Sequence, residues 1–173
     1  MRKQFCFTLL LIATSTAIAV AAQTANQGPE PSIGTWKLNL EKSDFGQAPK
    51  PKSERLVVSE ASPTVVKWRA SGVGADGKPM HISYAGAADG KPYPVKGSPR
   101  VNTIAYSGSV NDPQGVQSTM TMKDGSTVKQ TITLSDDKNT MTAKSEGANG
   151  VSMTEVWERV RPTAKKAAAK KSE

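Results

Sequence analysis

From Gly34 onward, apolar and polar side chains alternate in short runs, and turn-forming residues separate the runs at regular intervals. Alternation with a period of two is the pattern of a half-buried β-strand. The first run, Gly34 to Leu40, places Trp36, Leu38 and Leu40 on one face and Thr35, Lys37 and Asn39 on the other. Further runs are Glu54 to Ser59, Thr64 to Ser71 with Val66, Trp68 and Ala70 together, and Met80 to Ala85 with Met80, Ile82 and Tyr84 opposite His81 and Ser83. Tyr93-Pro94-Val95 is a short piece whose neighbouring prolines predict an edge strand or a bulge. Asn102 to Ser109 groups Ile104 with Tyr106, and Val116 to Lys123 groups Val116, Ser118, Met120 and Met122. Thr127 to Leu134, Thr140 to Lys144 and Val151 to Val160 complete the series.

The connections carry turn chemistry. Asp76-Gly77, Asp89-Gly90, Asp124-Gly125 and Asn149-Gly150 supply the positive φ that tight hairpin turns require, and the sequence predicts primed turns there. Glu41 to Gly46 reads as a single helical turn with Phe45 as its apolar plug, followed by an extended proline-containing connection. No stretch has a convincing amphipathic helical period. Strands joined in order by tight turns predict an all-β, up-and-down antiparallel barrel of about 8–10 strands. A Greek-key sandwich would need longer crossovers, and closure removes edges that a flat sheet leaves exposed.

The ends differ from this body. Arg2 and Lys3, the apolar run Phe5 to Val20 and the small residues Ala19 to Ala22 form the three parts of a secretory signal. The expected organisation is a signal peptide over 1–22, a flexible leader over 23–32, a barrel over 33–160 and a basic disordered tail over 161–173. Export to the periplasm or the extracellular space follows, with no membrane-spanning segment after cleavage. Of the formal charge of +8, Arg2 and Lys3 account for +2 and residues 161–173 for +4, leaving +2 on the body. The basicity therefore belongs to the tail, whose lysines suit electrostatic attachment to an anionic envelope surface. The body has no basic stripe with interleaved aromatics, so no specific nucleic-acid partner is expected.

Candidate chemistry is sparse. The one cysteine, Cys6, lies in the signal, and His81 is the one histidine, which excludes thiol catalysis and His-rich or zinc–thiolate metal sites from the mature chain. His81 falls on the polar side of its strand, and most aspartates sit in turns. No catalytic constellation, metal site or cofactor is expected. Glu155 is inward if Met153 and Trp157 are inward, and outward if Val156 and Val160 are; the pattern supports both registers. Five methionines, Met80, Met120, Met122, Met141 and Met153, fall on strands. Methionine adapts to varied apolar shapes. Trp68, Met80, Tyr84, Tyr106, Met120, Met122 and Met141 are thus the candidate lining of a binding cavity, or else the filling of a solid barrel.

Two sets of residues carry a resemblance. Gly34-Thr35-Trp36 resembles the Gly-x-Trp that opens lipocalin and related calycin barrels. That likeness implies an arginine from the end of the barrel packed over Trp36, with Arg159 the match and Arg161 the alternative, as a structural latch. Gly34 to Asn39, Lys42-Ser43-Asp44-Phe45, Asp76 to Pro79 and Tyr93-Pro94-Val95-Lys96-Gly97 together resemble small exported bacterial proteins of unassigned function with a lipocalin-like domain. The resemblance spans about Ile33 to Val160 and implies a fold, without a reaction. The chain lacks the lipocalin cysteines and the second and third signature motifs. The expected function is a non-enzymatic binding module for a small apolar or amphipathic ligand. The alternative is a structural or interaction protein of the envelope with a filled barrel.

Overall fold

The computed structural model describes residues 30–147, 150 and 152–161. The expected signal peptide, the leader up to residue 29 and the tail from residue 162 lie outside the described residues. Ten strands form one closed antiparallel barrel: β1 (Gly34–Leu38), β2 (Ser53–Ala61), β3 (Val66–Val73), β4 (Pro79–Gly86), β5 (Pro92–Lys96), β6 (Val101–Ser107), β7 (Val116–Met122), β8 (Thr127–Leu134), β9 (Thr140–Gly147) and β10 (Ser152–Arg159). Each strand pairs with its neighbours in sequence, and β10 pairs with β1 to close the ring. The all-β up-and-down barrel expected from the alternation is the fold observed.

The seam registers Trp36 with Arg159 and Leu38 with Trp157, while Trp36 faces Leu56 across β2. Trp36 is fully buried, so its face is the interior. Because side chains alternate along each strand, Leu38, Leu56, Val58, Trp157 and Met153 share that interior. The outer wall is built from side chains such as Lys37, Arg55, Thr119, Lys129 and Lys144. A lipid-embedded barrel carries an apolar band on this wall instead. Among the described residues, Val57 and Val160 are the exposed large apolar side chains.

Three local details depart from the sequence reading. Strand β1 stops at Leu38 rather than Leu40, because Asn39 turns the chain: its Oδ1 accepts the Glu41 and Lys42 N–H groups, and its carbonyl accepts the Ser43 N–H. The turn then lies against β10, where Asp44 and Thr154 exchange backbone hydrogen bonds and Phe45 is buried beside the seam cluster. The Asp-Gly connections are not primed two-residue turns. Gly77, Gly90 and Gly125 have positive φ, whereas the aspartates before them do not. In the third of these, Gly125 N–H bonds to the Met122 carbonyl and Met122 N–H to the Ser126 carbonyl, the form of a type I turn closed by a left-handed glycine. Strand β5, predicted as an edge strand or a bulge, is an internal strand paired on both sides without a register shift, since a closed ring has no edge. Its prolines instead leave a short ladder, with two registered pairs to β4 and three to β6.

Candidate functional site

The registers sort the interior into two halves. One end, here called the latch end, gathers the β2–β3, β4–β5, β6–β7 and β8–β9 connections together with the chain entering β1. The other end, here the far end, holds the start of β2, the β3–β4, β5–β6 and β7–β8 turns and the start of β10.

The latch takes its name from Arg159. Its guanidinium carbon lies 4.1 Å from the Trp36 ring centroid. The same side chain donates to the carbonyls of Lys138 at 2.8 Å, Ile33 at 2.9 Å, and Pro31. The Trp36 indole N–H donates to the Ser32 carbonyl at 2.9 Å. Residues 30–32, counted in the leader, are thus fastened to the barrel. Gly34 explains the first position of Gly-x-Trp: its φ is +145°, and a Cβ there would stand 2.6 Å from the Arg159 guanidinium.

Inside this end the lumen is packed. Trp68 stacks on Tyr84 at 5.8 Å and 12°, and Tyr84 meets Tyr106 edge-on at 5.1 Å. The Trp68 indole N–H donates to the Tyr106 hydroxyl at 3.2 Å, which ties β3 to β6 across the interior. Burial pushes the Tyr84 phenol up to about 12 and the Tyr106 phenol higher still, so both remain proton donors at any ordinary pH. Met141 is buried in the neighbouring cluster with Trp36 and Trp157. Of the side chains singled out from the sequence, Trp68, Tyr84, Tyr106 and Met141 therefore belong to one packed half.

Met80 and Met122 lie outside both core clusters, and Met120 packs against the edge of the tyrosine cluster. Each is only partly buried, although each occupies an inward position. Met153 joins them from β10, in register with Ser145. Beside these methionines runs a row of polar inward residues. The Ser118 hydroxyl donates to Gln130 Oε1 at 3.4 Å, and Gln130 Nε2 donates to the Ser145 hydroxyl at 3.0 Å.

Two carboxylates complete the far half. Trp157 is buried and Met153 packs against the core, which resolves the β10 register and turns Glu155 inward. Glu54, on β2, faces inward two residues before Leu56. Burial pushes Glu155 up to about 7. Glu54 is also pushed up to about 7, first by burial and then by the charge of Glu155. Glu155 has no ion pair or hydrogen bond to any described residue. It is partly buried, and its carboxylate oxygens retain accessible surface. Sequence reasoning left Glu155 between two registers and missed Glu54. The alternation Glu54, Leu56, Val58 would have found it, but Val57 on the opposite face blurs the pattern.

Other features lie outside the lumen. His81 is exposed on the outer wall. A groove of about 410 Å³ crosses β1 to β3 and is lined by Lys37, Glu54, Arg55, Ser71 and Val160 among others, and one of about 360 Å³ lies at the latch end beside Asn139, Glu158 and Arg161. Among the described residues, no three or more His, Cys, Asp or Glu side chains converge as a metal site.

No protein-family model matches the chain, and no curated protein matches it. Solved structures do. A fatty-acid-binding protein 1 of Echinococcus granulosus is similar over 76% of this chain and 98% of its own, at 13% identity and a TM-score of 0.53. A mutant of the fluorescent protein UnaG is similar over 76% of this chain and 98% of its own, at 11% identity and a TM-score of 0.54. The chain thus shares with these structures the fold of a closed antiparallel barrel.

Proposed function

We propose that this protein is an exported, non-enzymatic binding module that takes a small apolar or amphipathic ligand into the far half of its barrel. The observation that carries this reading is the division of the lumen: a solid aromatic floor at the latch end, and beyond it partly buried methionines around polar groups that no protein partner fully satisfies. Ligand sites combine an apolar lining with a few convergent polar groups. Methionine provides a lining that adapts to the guest. That structural neighbours include a protein named for binding fatty acids supports the same class of function. Export rests on the signal pattern of residues 1–22, and the lysines after Arg161 would hold the protein near an anionic envelope surface.

Titration with the neutral dye Nile red, followed by its fluorescence, tests the reading. Saturable binding at one site is expected, together with a ligand-bound mass by native mass spectrometry after isolation from the source cells. Absence of both would favour the second reading, a filled barrel with a structural or interaction role in the envelope. The interlocked Trp68, Tyr84 and Tyr106 at the latch end are what favours that alternative.

A further inference from the structure

Resting on that reading, we propose that the far half of the lumen selects a cationic amphiphile, an ammonium group on an apolar body, with Glu155 as the head-group acceptor and Glu54 beside it. The charge pattern of the inward face is the ground for this. Glu54 and Glu155 are the inward carboxylates, and the single inward cation among the described strand positions is Arg159. Arg159 is committed to Trp36 and to three backbone carbonyls at the latch end. It stands four residues along β10 from Glu155, about 13 Å at the usual strand rise. It therefore cannot neutralise the carboxylate.

A buried carboxylate without a partner is costly, and proteins ordinarily pair it or keep it protonated. Here the fold supplies no cationic partner among the described residues. Glu155 is turned inward and partly buried, is bonded to no described residue, and its carboxylate oxygens retain accessible surface. The neighbouring inward positions extend the same preference: Gln130 and Ser145 on β8 and β9 offer oxygen acceptors, and Ala143, the direct β9 partner of Glu155, brings no charge. Met80, Met120, Met122 and Met153 supply the apolar surroundings for the body of the guest. An ammonium donates up to three hydrogen bonds and gains the charge-assisted kind from carboxylates. A fatty-acid carboxylate would bring a further negative charge into the same space without a cation to receive it.

The test uses the full chain and three probes of matched length: dodecylamine, dodecanoate and dodecanol, each below its critical micelle concentration. Binding is measured by calorimetry and by quenching of tryptophan fluorescence at neutral pH. The expected result is dodecylamine at least tenfold tighter than dodecanoate. Glu155→Gln should lose about tenfold for the amine and leave dodecanol within twofold. Glu54→Gln should show a smaller loss of the same kind, and melting curves of both variants establish that they are folded. Dodecanoate equal to or tighter than dodecylamine, or an amine affinity indifferent to both substitutions, would overturn the charge selection while leaving a binding barrel intact. Failure of all three probes and of Nile red would remove the binding reading itself, and the present inference with it.

Discussion

The most informative single side chain is Arg159, because one guanidinium closes the ring in four ways. It covers the Trp36 indole and donates to three carbonyls on both flanks of the seam. A cation–π contact contributes about 0.5–2 kcal/mol, depending on desolvation. Each charge-assisted hydrogen bond adds about 1.5–3 kcal/mol when its loss leaves a buried acceptor unpaired. Arg159 is only partly buried, so water recovers part of this. Arg159→Leu should therefore lower stability by about 2–3 kcal/mol, read from the urea midpoint at unchanged slope. An unchanged midpoint would mean that β10 pairing alone holds the seam. The pair Trp36 and Arg159 was legible in the sequence, because Gly-x-Trp is a local signature and Arg159 ends an alternating strand. The inward direction of Glu155 was not. Met153 and Trp157 on one face balance Val156 and Val160 on the other, and only the partnership of Trp157 with Leu38 decides between them.

At the scale of elements, β5 is the weak stave. A proline has no N–H to give a ladder, and Pro92 and Pro94 occupy two of the five positions of this strand. Its registered pairs with β4 are only Ser83 with Lys96 and Tyr84 with Val95. Compare β3 and β4, which register eight pairs from Val66 to Val73. Local opening follows such differences in backbone bonding. Hydrogen exchange should therefore find the amides of Tyr93, Val95 and Lys96 exchanging well before those of β3, β8 and β9. Equal protection throughout the ring would contradict this. The prolines are visible in the sequence and predict an edge strand or a bulge; a closed ring has no edge, and β5 pairs on both sides without a register shift, so their effect is a shortened ladder instead. Likewise, the end of β1 at Asn39 depends on a side chain folding back on its own backbone, a choice that alternation alone does not reveal.

For the molecule as a whole, the lumen carboxylates set a dependence of stability on pH. The inward carboxyls are Glu54 and Glu155; the inward phenols Tyr84, Tyr93 and Tyr106 stay protonated and Arg159 stays charged throughout the range concerned. The unfolded chain releases its glutamate protons near the ordinary value of 4.5, whereas the folded chain keeps those of Glu54 and Glu155 until about pH 7. Between these limits the folded state binds more protons, so stability falls as pH rises and then levels off. The two groups interact, and the pair titrates as a unit. A loss on the order of 2–4 kcal/mol between pH 4.5 and pH 8 follows from shifts of this size. On the acid side, Asp89, Asp124, Asp137 and Glu158 act in the opposite sense. Hydrogen bonds hold their carboxyls below the usual range, and the stability they contribute is lost as pH falls through it. Maximum stability is therefore expected near pH 4.5–5. Urea unfolding across pH checks it, and Glu155→Gln should flatten the alkaline limb; a slope unaltered by that substitution would place the dependence elsewhere.

The seam has a temporal consequence as well. The residues Arg159 grips, Pro31 and Ile33, are among the earliest of the described chain to be delivered, and Arg159 is among the latest. Until β10 arrives, Trp36 has no lid and β1 has a partner on one side only. With nine staves in place the ring would still be an open sheet with two unpaired edges. Closure of the ring is thereby coupled to concealment of Trp36: the strand that brings the last stave also brings the lid.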